Sequence, residues 1–150
     1  MHRLEGKVIV IIGGTSGLGL SGARTFVAEG ARVVVTGRDA DKISATENEL
    51  GVASAGLVGD AAQSDSASAA IGLAIERFGG FHGLYHVAGG SGRSKGDGPL
   101  HEISDEGWSY TVQLNQTSVF NSNRAAVRQF MKQGGGGAVL NTSSVLGFSP

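Results

Sequence analysis

The sequence predicts an α/β fold: a doubly wound parallel sheet with helices on both faces. Three observations carry the prediction. Residues 7–12 (KVIVII) and 32–36 (RVVVT) are continuous apolar runs rich in β-branched side chains, the pattern of strands buried on both faces. Such runs alternate with longer stretches at helical spacing, which implies parallel strands joined by right-handed crossovers. Glycine supplies 26 of the 150 residues, against an ordinary share of about 7%, and proline only 2. Scarce proline and the lack of a triplet exclude collagen, so the glycines belong to tight turns and to backbone approaching a ligand.

Each element has its own local reason. Residues 7–12 form the first strand. Over 17–29 the spacing turns helical, with Leu20, Ala23 and Val27 on one side and Gly30 as the stop. Residues 32–36 form the second strand. Asp39 then caps a helix that carries Ile43, Thr46 and Leu50 on one face and closes at Gly51. Ser54–Val58 is a weaker third strand. Ser66–Phe78 repeats apolar residues at three- and four-residue steps, an amphipathic helix ended by Gly79 and Gly80. Residues 83–87 (GLYHV) form the fourth strand, and 89–99 a glycine-rich loop. Ser104 is the N-cap of a helix expected to run unbroken to Lys132, roughly 40 Å at about 1.5 Å per residue. Residues 134–137 break it, and Ala138–Asn141 is the fifth strand.

Composition narrows the function. The length suits one domain spanning 1–150. Twelve basic and thirteen acidic residues give a formal charge of −1, unlike the basic footprint of a nucleic-acid binder. No cysteine is present, which removes disulfides, thiolate metal sites and thiol nucleophiles. His2, His82 and His101 show no metal-ligand spacing and read as incidental, so no metal is expected. The longest apolar run, Val8–Ile12, is too short to span a membrane, and no signal peptide is visible. The expectation is a cytoplasmic protein without a membrane or nucleic-acid partner.

The strongest chemical signal is Gly13-Gly14-Thr15-Ser16-Gly17-Leu18-Gly19, directly after the first strand. Gly17, Gly19 and Gly22 also fit a G-x-G-x-x-G frame, but that frame starts four residues after the strand. The frame beginning at Gly13 is the one a dinucleotide turn requires. Gly13 allows the sharp turn, Gly17 lets backbone N–H groups approach a pyrophosphate, and Gly19 lets helix and strand pack closely. The anion then sits at a helix N-terminus, where N–H groups are unpaired. The second strand ends in Thr36-Gly37-Arg38-Asp39. An acid near this point binds a ribose 2′-hydroxyl, whereas an arginine accommodates a 2′-phosphate. Gly37 stands where the acid belongs and Arg38 follows, which favours NADP; Asp39 leaves NAD possible, although its reading as a helix cap is preferred.

With these residues placed, the chain resembles the first part of a short-chain dehydrogenase/reductase, a family with a Rossmann-type sheet. The glycine turn matches. So does Asp60-Ala61 after the third strand, where the family's Asp meets the adenine amino group. His86-Val87-Ala88-Gly89 stands in for the family's Asn-Asn-Ala-Gly. Asn115 lies in the long helix, and Asn141-Thr142-Ser143-Ser144 follows the fifth strand. The resemblance implies that Ser144 polarises the substrate oxygen and that Asn115 supports the proton relay, although an Asn amid apolar neighbours also needs structural hydrogen bonds. His86 departs from the family's Asn and is not expected to be catalytic. The family's Tyr-x-x-x-Lys pair would follow about thirteen residues after Ser144 and does not occur in the chain. The chain is therefore expected to lack the family's C-terminal strands, either as part of a longer enzyme or as a truncated reading frame, and to be inactive alone.

The function implied by this resemblance is an NADP(H)-dependent oxidoreductase acting on a small-molecule carbonyl or secondary alcohol. The alternative is a non-catalytic dinucleotide-binding sensor or scaffold. Arg93 and Lys95 in the glycine-rich loop either recognise an acidic substrate or face solvent. The long helix, with Val119, Ala125 and Ala126, is expected to pair with a second copy in a homo-oligomer.

Overall fold

A computed structural model describes residues 2–147. Five parallel strands form one sheet in the order β3-β2-β1-β4-β5. They are β1 (Val8–Ile12), β2 (Arg32–Gly37), β3 (Ser54–Val58), β4 (Gly83–His86) and β5 (Ala138–Asn141). The helices are α1 (Gly17–Ala28), α2 (Ala40–Leu50), α3 (Ser66–Phe78), α4 (Asp105–Val112) and α5 (Ser118–Gln133). β1 is central and pairs β2 on one side, Ile9 opposite Val33, and β4 on the other, Ile9 opposite Gly83. The strand order reverses between β1 and β4, the switch point at which open α/β sheets bind ligands.

The two apolar faces of β1 explain the double winding. Val8, Val10 and Ile12 point into a core shared with Ala70, Ile71 and Ala74 of α3 and with Ala126 and Phe130 of α5. Ile9 and Ile11 point the other way, toward Ala23 of α1 and Ile43 of α2. All five residues of β1 are buried. At about 1.5–3 kcal/mol for each fully buried large aliphatic side chain, the central strand holds the layers together. A stacked pair, Phe81 on Phe130 at 4.8 Å between ring centres, closes the amino end of β4 against α5. An added Cβ on Gly137 would overlap the Phe130 ring, so β5 can enter the sheet only behind a glycine.

The caps form where the sequence puts them. Asp39 Oδ1 accepts the amides of Asp41 and Lys42 at 3.0 and 3.2 Å. Ser104 Oγ accepts the amide of Gly107 at 3.0 Å. Gly30, Gly51, Gly79 and Gly134 all take positive φ just after helices. His82 is not incidental: its Nδ1 accepts the Val8 amide at 3.0 Å and pegs β4 to the start of β1.

The long helix runs its expected length, and within it one turn of π-helix, Gln113–Thr117, joins α4 to α5. Side chains supply the reason. The Ser118 amide reaches back five residues to the Gln113 carbonyl, while the Ser118 hydroxyl takes the Leu114 carbonyl at 2.6 Å. Asn115 Nδ2 likewise takes the Thr111 carbonyl at 3.0 Å. Polar side chains that bond carbonyls four residues back compete with the helical ladder and loosen it. The residues expected to pair with a second copy also fall differently. Ala126 is fully buried and Ala125 packs on the core, whereas Phe120, Val127 and Met131 are exposed.

Candidate functional site

The carboxyl ends of β1, β2, β4 and β5 carry two open clefts that share Val87, Ala88, Gly89 and Thr142. The first has a volume of about 610 Å³ and is walled by Gly13, Thr15–Leu18, Arg38, Asp60 and Ala61. It gathers every residue read from the sequence as cofactor-binding except Gly19, which lies beneath it.

Each glycine of the turn has its own constraint. Gly13 adopts φ +87°, and a Cβ there would lie 2.8 Å from the Ala88 amide nitrogen. Gly19 is pressed on the Gly13 carbonyl oxygen, with no room for a Cβ. Gly17 is different: it has φ +50° and only open space where a side chain would go. The sequence frame starting at Gly13 is thus the one the turn uses, since Gly13 follows Ile12 at the end of β1. Ser16 precedes α1 in extended backbone and makes no side-chain cap bond. The first turn of α1 therefore offers its amides to the cleft rather than to its own cap.

The floor beside β2 is set by Thr15 and Gly37. A Cβ on Gly37 would approach Thr15 Oγ1 to 2.8 Å, so any side chain there would require Thr15 to shift. Arg38 and Asp39 come next. Asp39 is occupied as the cap of α2 and lies 3.8 Å from Lys42 Nζ. Lys42 also lines the cleft and was not singled out from the sequence. The signal was available, since it lies in the first turn of a helix whose amino end borders the site. Asp60 Oδ1 accepts the Ala62 amide at 2.9 Å, and the Ser66 hydroxyl donates to the Asp60 carbonyl at 2.6 Å. Asp60 is thus both a turn residue and part of the wall.

The second cleft, about 1230 Å³, is lined by Ser143 and Ser144, Asn115, Val119 and the loop from Gly89 to Pro99. Asn115 sits in the π turn and clasps Gly90: its Oδ1 accepts the Gly90 amide and its Nδ2 donates to the Gly90 carbonyl, both at 2.9 Å. The structural need foreseen for this Asn is met by that clasp and by Thr111. Thr142, quoted in the run after the fifth strand without a role of its own, belongs to both clefts, as its place directly after a parallel strand allows.

His86 lies under this junction and is almost wholly buried. One ring nitrogen, Nε2, is 2.9 Å from the Ala88 carbonyl oxygen, which can only accept. Nε2 therefore carries the proton, and Nδ1 lies 2.8 Å from the Ser122 oxygen, whose hydroxyl also reaches the Val119 carbonyl at 3.0 Å. Burial pushes the imidazole below its ordinary range, against an opposing pull from the Ala88 bond. A neutral ring thus ties the shared wall of the clefts to α5.

Comparison with known proteins agrees with this geometry. The model of the short chain dehydrogenase family matches residues 7–150. A 2,5-dichloro-2,5-cyclohexadiene-1,4-diol dehydrogenase of Sphingobium indicum is 36% identical over 99% of this chain and 59% of its own length. A 3-alpha-(or 20-beta)-hydroxysteroid dehydrogenase of Mycobacterium bovis is 35% identical over 98% of the chain and 55% of its own. The crystal structure of a short chain dehydrogenase from Mycobacterium smegmatis superposes with a TM-score of 0.91 at 28% identity, over 100% of this chain and 62% of that one. The chain thus spans somewhat more than half the length of these relatives. With the family model matching nearly the whole chain and the fold superposing on that of a family member, the chain belongs to the short chain dehydrogenase family.

Proposed function

We propose that the protein is an NADP(H)-dependent oxidoreductase acting on a carbonyl or secondary-alcohol substrate. The observation that carries this is the confluence of the two clefts over Ala88, Gly89 and Thr142. One cleft is built around a phosphate-type turn and the other around Ser144. The residues fit a dinucleotide: Gly17 leaves its backbone open, Ser16 leaves α1 uncapped by a side chain, and Gly37 supplies no ribose-binding acid at the end of β2. Arg38 and Lys42 give that end of the cleft a positive rim suited to a 2′-phosphate.

The bound nicotinamide would supply or accept the hydride. Ser144 polarises the substrate oxygen by hydrogen bonding. Asn115 is a positioning residue that fixes Gly90 and the cleft wall, and so supports the relay. The proton is assigned to the family's Tyr–Lys pair, expected beyond Pro150. The proposed assembly is a homo-oligomer, supported by the exposed Phe120, Val127 and Met131 of α5. The test is turnover by the full-length protein of a panel of ketones and secondary alcohols with NADPH, NADH and their oxidised forms. Reduction of a carbonyl with NADPH is expected, and Ser144→Ala should lower kcat roughly 10²–10³-fold, as loss of one oxyanion donor does. Tight cofactor binding without turnover of any compound would support the sensor or scaffold instead.

A further inference from the structure

Two charged residues, Arg93 and Asp97, are among those described as lining the second cleft. Their situations differ. Asp97 Oδ2 accepts the Thr111 hydroxyl at 3.0 Å, which ties that carboxylate to α4. Arg93 makes no ion pair among the described residues. Lys95, two residues on, does not line the cleft.

The loop that bears Arg93 is anchored along its length. Ser91 Oγ accepts the Arg93 amide at 3.2 Å, and the Gly92 carbonyl accepts the amides of Lys95 and Asp97 at 2.8 and 3.2 Å. The Gly96 carbonyl accepts the Ser104 amide at 3.2 Å. A Cβ on Gly92 would overlap the Thr111 hydroxyl, and one on Gly107 would overlap the Gly96 backbone. Loop and helix therefore meet backbone to backbone. On the other side Asn115 holds Gly90. A cation on such a rim has a set origin rather than a wandering one.

We infer that the second cleft selects substrates bearing a carboxylate, which Arg93 binds while Ser144 holds the reacting oxygen. The inference rests on the oxidoreductase reading for the Ser144 half alone. An arginine presents a planar fork of donors that matches a carboxylate, and it stays charged at any working pH. Arg93 is exposed on the rim, so its contribution belongs at the low end for a charge-assisted contact, roughly tenfold in affinity.

The test compares benzoylformate with its methyl ester in the full-length protein. KM is measured with NADPH, and binding of each compound to the NADP-saturated protein by calorimetry. The carboxylate should bind and react with a constant roughly tenfold lower than the ester. Arg93→Ala should erase that difference and leave the ester unchanged, and Arg93→Lys should restore part of it. Equal constants for the two compounds, binding of neither, or a parallel loss of both in Arg93→Ala would overturn the inference. Carboxylate-selective binding that Arg93→Ala abolishes, without turnover, would sustain the anion site and count against the oxidoreductase reading.

Discussion

A Cβ on Gly37 would crowd the Thr15 side chain beside β2, and under the proposed reading the choice of cofactor rests with Arg38. Arg38→Ala is expected to weaken NADPH roughly ten- to a hundredfold and leave NADH nearly unchanged, as measured by titration of each cofactor. Equal wild-type affinities for the two would refute the assignment. Gly19 makes a harsher demand. Gly19→Ala drives a methyl into the Gly13 carbonyl oxygen, and the turn or α1 must shift. A loss of at least 1–3 kcal/mol, about the usual cost of overpacking, should appear in chemical denaturation. His86 adds a pH dependence. Its folded pKa lies below its unfolded value near 6.5 because burial disfavours the charged ring. The stability it contributes is therefore fully present above pH 6.5 and is lost as pH falls through the depressed folded value. His86→Asn, which keeps a donor for Ala88, should flatten the melting temperature between about pH 5 and 7.5 relative to wild type. An identical slope in both proteins would remove His86 from the account.

At the scale of elements, the strands and caps were legible because each rests on local chemistry. β1 reads VIVII and is buried at all five positions, and Asp39, Ser104 and the post-helical glycines act as their residue types dictate. The π turn was not legible. It depends on Ser118 and Asn115 choosing carbonyls four residues back, and a helical period carries no mark of that choice. Ser118→Ala should return the Leu114 carbonyl to the backbone ladder and straighten the helix. Gly90 would then lose its alignment with Asn115, and faster amide exchange of Gly90 is the expected readout. Ala126, named from the sequence for pairing with a second copy, is instead buried, for a related reason. Spacing identifies a face but not which of two faces the core takes. Phe120→Asp with Met131→Asp should convert an oligomer into monomers by light scattering, and a monomeric wild type would refute the proposed assembly.

At the scale of the whole molecule, most residues walling the first cleft could be named from the sequence, since they cluster at the ends of strands recognisable one by one. Lys42 was missed because it joins the cleft through the topology rather than through a motif of its own. β5 pairs only β4 among the described strands, and all four of its residues are exposed. Its outer edge presents amides and carbonyls able to recruit another strand. Residues 1–150 expressed alone should therefore self-associate, bind cofactor poorly and turn nothing over. A monodisperse monomer with the activity of the full-length protein would contradict this.

The central position of β1 has a consequence for how the protein is made. Of the five strands β1 is made first, yet one of its two partners comes late: the Val8 amide waits for the His82 ring, 74 positions further along. β2 and α1 can cover one edge and one face early. The other edge stays open until β4 emerges, roughly 4–15 s later at about 5–20 residues per second. The most apolar strand of the chain spends that interval as an unpaired template, the form in which such segments associate with one another. Ribosomes that stall before residue 83 would present it to their neighbours on the same message.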